Sequence, residues 1–273
     1  YFPASSYEDM RFWSLDREDL KKYRKTHERG HSELCDGGYY REFLTQYPES
    51  NYLYAKMQYT HILVNQIRGD KYRKQAARNE LWKGQCHFAY WHNHTGGIYL
   101  NHLRKKTFAS LIEAEKVTRE KGIFIPSIIT TDLDMDGINE YLYQGNKINA
   151  YVHTQGGMLF ELDYLPASWN YLDSLSRQPE YYHDSEVEKR GYDWYPRKSF
   201  IDHFLSREVT IENFDRTNYK DLASFIGKQY DIIKLYREKK ELILRSEGRE
   251  KQKKGKTCPV VITKYYHFKP SSL

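Results

Sequence analysis

Carboxylates are missing from the stretch of this chain that is otherwise richest in functional side chains: no Asp or Glu lies between Glu80 and Glu113. A site built there has no local acid–base pair, so it suits holding a ligand better than turning one over. Cysteine is scarce as well. Cys35, Cys86 and Cys258 are the only three, far apart and odd in number, which argues against a disulfide framework and for a reducing compartment, the cytoplasm. No apolar run approaches the ~20 residues of a membrane-spanning helix, and no leader peptide is visible. Large charge of one sign is also lacking. The net +6 is modest, and much of it sits in REKQKKGK at 249–256, which reads as a solvated loop rather than a nucleic-acid surface. Internal repeats and low-complexity linkers are absent. The first residue is Tyr1 rather than Met, so the chain is expected to be a piece of a longer protein.

What is present is aromatic. With 26 Tyr, 12 Phe and 5 Trp in 273 residues, the chain can bury more than its 39% hydrophobic content suggests. The pattern changes near residue 123, dividing the chain into residues 1–122 and 123–273. In the first part, Leu53, Met57, Thr60, Val64 and Ile67 step by four and three along one helical stripe. Pro48, Ser50 and Asn51 mark the start of that helix. A polar, Lys/Arg-rich helix over about 70–83 ends near Gly84. A third helix carries Leu100, Leu103, Thr107, Leu111, Ala114 and Val117 and stops before Gly122. Three antiparallel helices with connections at 69–70 and 84–97 make a small bundle. Beyond 123, alternation over Ile138–Tyr143, the Gly145-Asn146 turn, and β-rich runs at Ile148–Val152, Met158–Asp163, Glu241–Leu244 and Val260–Phe268 predict antiparallel sheet, most simply a sandwich. The fold class is therefore α+β and multidomain.

The second connection, QCHFAYWHNHTGGIYLNHLR at 85–104, gathers aromatics, four histidines and a Gly96-Gly97 break, and connections are where binding residues are commonly displayed. Tyr and Trp faces accept the C–H faces of sugars, while His and Asn bond their hydroxyls. Tyr90, Trp91, His92 and His87 are the candidate ligand contacts; the plainer alternative is that Trp91 only plugs a packing seam. His87, His92, His94 and His102 match no standard zinc spacing. In TDLDMDGINE, Asp132, Asp134, Asp136 and Gly137 resemble the opening of a calcium loop, but position twelve is Tyr143 rather than a bidentate Glu, and the flanks read as strands. This leaves two readings, a non-EF-hand calcium loop with Glu140 as a further ligand, or an Asp-rich turn leading into a strand. Glu161, Asp163, Glu180 and His183 could supply acid–base groups, or serve structure.

Four segments carry a resemblance. They are REFLTQYPESNYLYAKM at 41–57, YWHNHTGGIYLNHLR at 90–104, GGMLFELDYLPASWNYLDSLSRQPEYYH at 156–183, and SFIDHFL at 199–205. In this order they resemble glycoside hydrolase family 57, in its branch of 4-α-glucanotransferases and related α-amylases, over roughly residues 1–235. The resemblance implies a central helical domain followed by a galactose-mutarotase-like β-sandwich. It also implies an α-1,4-glucan or maltooligosaccharide as ligand, with the tryptophan at position 91 lining the cleft. The chain departs from the family in having His87 and Phe88 where polar residues, often Asn-Asp, usually stand.

Retaining glycoside transfer needs two carboxylates across one bond. The resemblance places both on an N-terminal barrel, for which Tyr1–Tyr7 looks like the exit, and implies a sandwich continuing past Phe268. No catalytic residue is assigned within this chain. The expectation is the middle and C-terminal part of a glucan-processing enzyme, its partner the barrel of the same protein. The alternative is a carbohydrate-binding or scaffold protein that never had a working barrel. Neither reading implies an organic cofactor, a nucleic acid or a membrane.

Overall fold

The computed structural model describes residues 18, 40–93, 96–119, 122–180, 183, 190–251 and 257–269. Tyr1–Tyr7, Cys35, His94, residues 181 and 182, and residues 252–256 of the basic run lie outside the described residues.

The chain divides into two units, residues 1–114 and 115–273. In the first, α1 (Tyr40–Gln46) leads into α2 (Pro48–Gln66), α3 (Lys71–Gly84) and α4 (Asn101–Thr118), whose last turn belongs to the second unit. Pro48 opens α2 at a position where its missing N–H costs nothing. The expected stripe Leu53, Met57, Thr60, Val64 and Ile67 is buried throughout. Thr60 tolerates this because its hydroxyl donates to the Lys56 carbonyl at 2.8 Å. Gly69 at φ +79° and Asp70, which accepts from the Arg73 N–H at 2.9 Å, turn the chain and cap α3. A β-carbon on Gly84, where α3 ends, would stand 2.6 Å from Leu111 of α4, so the glycine admits that neighbour. The short α1 has no counterpart in the periodic pattern.

In the second unit, β3 (Ser127–Thr131), β4 (Glu140–Gln144), β5 (Ile148–His153), β6 (Met158–Tyr164) and β7 (Trp169–Asn170) form one antiparallel sheet in sequence order. A second antiparallel sheet runs β10-β9-β8, from β8 (Asp231–Tyr236), β9 (Glu241–Lys251) and β10 (Thr257–His267). Between them in sequence comes the short α5 (Ile211–Asp215), capped by Thr210 and Asn213. Ile128, Tyr141, Tyr143, Ala150, Val152 and Leu159 of the first sheet share one core with Leu242, Leu244 and Tyr266 of the second, joined by Phe268 just past β10. Tyr143 stacks on Phe268 at 4.6 Å. Two sheets closed over one apolar layer make the expected sandwich.

The other face of the five-stranded sheet is unusual in being both polar and buried. Side chains alternate across a strand, so Glu140 and Gln144 of β4, Asn149 and His153 of β5, and Asp163 of β6 turn away from the core. All of them are buried. Near one end, Glu115 of α4 accepts from Gln144 at 3.0 Å and Asn149 at 2.9 Å, and from Arg119. Asp163 accepts from Asn149 at 3.1 Å and Asn170 at 2.8 Å. Such a network tolerates burial because its members satisfy one another. It also explains why the division falls at 114/115 rather than at the 122/123 boundary read from composition: Glu115 in the last turn of α4 and Arg119 just past it are bonded into the sheet.

Candidate functional site

The 85–100 connection is built around a tight reversal. A 3-10 turn, His87–Ala89, precedes β1 (His92–Asn93), which pairs antiparallel with β2 (Gly96–Gly97), His92 opposite Gly97. Gly97 has φ +86°, and a β-carbon there would lie 2.1 Å from the Trp91 carbonyl oxygen and 2.6 Å from His92 Cα. The backbone can close only on glycine. Across the closure the Ile98 N–H donates to the Trp91 carbonyl at 2.7 Å, which fixes where Trp91 stands.

Two of the four predicted contacts point inward. Tyr90 is 7% exposed, donates its hydroxyl to the Gly84 carbonyl, and accepts at its own carbonyl from Tyr40 at 2.8 Å. Burial, and then the neighbouring Tyr40 and Cys86, push its phenol well above the ordinary range, so it remains a donor. His92 is 2% exposed, with Nδ1 3.0 Å from the Gly96 carbonyl and its ring edge-on to Tyr99 at 4.4 Å. Tyr47 packs 5.6 Å away on α2's threshold. These are props of the loop.

The other two form its face. His87 is exposed and Trp91 half-buried, and their rings lie nearly parallel, 10° apart with centroids 6.4 Å apart. Phe88, exposed, lies 4.1 Å from His87. The result is a cluster of two aromatic rings about the His87 imidazole. Cys86 beside it carries a free, exposed thiol. His102 is exposed on α4, and none of the connection's described histidines joins a metal-ligating group.

The acidic turn lies in the second unit. Asp134, Asp136, Glu140 and His153 present ligand atoms that all lie within 4.8 Å of one another. Asp132 stands outside that group, its Oδ2 accepting from the Gly137 N–H at 3.1 Å. Glu140 Oε2 accepts from the Leu133 N–H at 2.5 Å. Burial pushes the Glu140 carboxyl up to about 8, against the Leu133 N–H and with the help of Asp134, Asp136 and Asp132. His153 carries no motif and was missed. The signal lay in the hairpin register: Tyr141 pairs with Val152, which puts residue 153 opposite residue 140.

Of the remaining candidates, Glu161, Asp163 and Glu180 are buried and His183 is half-buried. Asp163 is engaged by Asn149 and Asn170. His183 stacks on Tyr192 at 5.9 Å, with Nδ1 3.1 Å from its hydroxyl, and accepts from the Glu180 N–H at 3.3 Å.

A helical unit with an aromatic loop, followed by a sandwich, defines a class, and comparison with known proteins agrees. Residues 38–118 match the family model described as alpha-amylase/4-alpha-glucanotransferase, middle domain, and residues 132–191 and 184–273 match the corresponding C-terminal model. The chain belongs to this family. It is 29% identical over 280 residues to a 4-alpha-glucanotransferase of Thermococcus litoralis, covering 87% of this chain and 40% of that protein. It is 31% identical over 258 residues to an alpha-amylase of Pyrococcus horikoshii, covering 87% and 38%. The crystal structure of the Thermococcus litoralis 4-alpha-glucanotransferase superposes with a TM-score of 0.81 at 29% identity, over 97% of this chain and 41% of that one. The chain thus spans about 40% of the length of these relatives. Among the described residues, no helix is long and apolar enough to cross a membrane.

Proposed function

We propose that this chain is the non-barrel part of a retaining, α-glucan-acting enzyme, a 4-α-glucanotransferase or α-amylase, and that its 85–100 connection contributes a sugar-contacting wall. The observation that carries the reading is the pairing of the exposed His87 with the half-buried Trp91, their rings 10° from parallel, in a stretch without a carboxylate. Such a face can stack on a glucosyl ring but cannot cleave a bond. The two carboxylates belong to a barrel in the rest of the protein, which is also the partner of this chain. Tyr90 and His92 hold the wall, while Trp91 and His87 touch the sugar. The exposed thiol of Cys86 supports a cytoplasmic setting.

The test is Trp91→Ala in the full-length protein, with steady-state kinetics on maltooligosaccharides. Loss of one stacked ring is worth about 1–3 kcal/mol, hence a fall in kcat/KM of roughly 5- to 150-fold. Unchanged kinetics in a folded variant would leave Trp91 as packing and remove the wall.

A further inference from the structure

The acidic turn and the strand behind it were not needed for the glucan reading, and they carry a site of their own. Counting from Asp132 as position one, Asp134 is third, Asp136 fifth, Gly137 sixth, Ile138 seventh and Glu140 ninth. The EF-hand loop takes ligands from positions one, three, five, the backbone carbonyl of seven, nine and twelve, with glycine at six for the sharp turn; here the first nine positions correspond and the twelfth is Tyr143. Gly137 supplies that turn at φ +88°. The acidic spacing alone would not make a site. A second observation does: Glu140, a carboxylate with no exposed surface, carries an Oε1 that accepts no hydrogen bond, with His153 Nε2 3.4 Å away. A buried carboxylate oxygen without a donor is expensive unless something cationic meets it. Among the described residues, the only ion-pair partner of Asp136 and Glu140 is His153, whose Nε2 stands 3.3 Å from Asp136 Oδ2 and 3.4 Å from Glu140 Oε1.

We propose that Asp132, Asp134, Asp136, Glu140 and the Ile138 carbonyl bind one calcium ion at the β3–β4 turn, with His153 beneath it as a positioning residue. The group fits a single ion in size. Two oxygens on opposite sides of a calcium ion are about 4.6–5.2 Å apart, and the Asp134, Asp136, Glu140 and His153 atoms lie within 4.8 Å of one another. Asp132 Oδ2 is held by the Gly137 N–H, and its carboxylate keeps a second oxygen for the ion.

The role of His153 decides between calcium and a transition metal, since imidazole ligands favour the latter. The Gln155 N–H donates to His153 Nδ1 at 2.9 Å. With Nδ1 accepting, the neutral ring carries its proton on Nε2, the nitrogen that faces the carboxylates. A metal-bound histidine does the reverse, offering a lone pair to the metal and donating from its other nitrogen. The donor set available to an ion is therefore all oxygen, which is the calcium set, and Nε2, at 3.3 Å from Asp136 and 3.4 Å from Glu140, makes only a long electrostatic contact with them.

The full-length protein, stripped with a chelator, should take up one calcium ion per chain in a calorimetric titration. Calcium at about a hundred times its dissociation constant should raise the melting temperature of the sandwich by roughly 5–10 °C. Glu140→Gln should abolish both responses. Should that buried substitution prevent folding, Asp136→Asn, at a partly exposed side chain, must reduce calcium affinity at least tenfold. Absence of uptake and of any thermal response would overturn the proposal, as would undiminished calcium binding in Asp136→Asn. Binding of Zn²⁺ with no response to calcium would equally overturn it, because it would make His153 a ligand. Glycosyl transfer is not part of the readout, so either outcome leaves the sugar-wall reading where it stands.

Discussion

Replacing Gly97 with alanine should cost far more than the same change at Gly69, and the difference isolates the closure that positions Trp91. Both glycines are left-handed, at φ +86° and +79°. Either alanine therefore bears a backbone penalty of about 1 kcal/mol. At Gly69 nothing lies within 4 Å of the added methyl group, so the cost stops there. At Gly97 the methyl would sit 2.1 Å from the Trp91 carbonyl oxygen, backbone that no side-chain rotation can move aside. Relief requires parting the strands by about an ångström, which breaks the Ile98 N–H bond to that carbonyl, 2.7 Å long, at about 1 kcal/mol. It also uncouples the His92–Gly97 pairing. The expected total is about 2–4 kcal/mol for Gly97→Ala against about 1 for Gly69→Ala. Urea unfolding of both variants measures the stability difference, and maltooligosaccharide kinetics on the full-length protein measure the displacement of Trp91. Equal urea midpoints, or Gly97→Ala kinetics matching wild type, would refute the idea that the loop closes only on glycine.

Tyr90→Phe should destabilise the helical unit by about 1–3 kcal/mol, because the Gly84 carbonyl loses its buried donor; kcat/KM normalised to folded protein should hold, and a specific loss of sugar affinity would mean that the phenol reaches the ligand. For Asp193, burial alone would raise the carboxyl, but hydrogen bonds from Arg197 and Arg177 outweigh it and hold it below the usual range. A depressed folded value means stability that is present above the unfolded value of about 3.9 and lost as pH falls through the folded one. Asp193→Asn should therefore destabilise the sandwich at neutral pH and flatten its stability curve below about pH 4; an unchanged acid limb in thermal melts would contradict the pairing.

Helices with one apolar side were legible, because their period is carried by side chains with no other role. The α2 stripe stands where the pattern put it, and α3 ends at Gly84 as expected. The strands Ser127–Thr131 and Asp231–Tyr236 were not read. The first is short, and the second exposes most of its length, so neither shows the contrast that alternation depends on. The β4 strand is harder in principle. It is buried on both faces, yet one face is Glu140, Leu142 and Gln144, so the usual equation of polar with exposed fails there. What makes the polar ones buriable is their partners, Glu115 of α4 for Gln144, and the Leu133 N–H and His153 for Glu140, and a linear pattern cannot display bonds between separate segments.

The same limit divides the site residues. Composition could single out Tyr90, Trp91, His92 and His87 as a group, since aromatics and imidazoles in a carboxylate-free stretch are a local property. It could not sort them, because inward and outward are set by one hydrogen bond to Gly84 and one strand reversal at Gly97. Tyr90 closes the 3-10 turn at φ −100° and ψ 0°, and its phenol turns back to the Gly84 carbonyl. Gly97 itself looked like a loop-breaker, and only the carbonyl it would strike shows that it sets the loop's geometry. At the acidic turn the ligand spacing was local and visible, whereas His153 arrives from the neighbouring strand. A hairpin joined at Gly145-Asn146, with Tyr141 opposite Val152, must set position 153 across from position 140. That deduction needed only the register, and register follows from turn position once both strands are known.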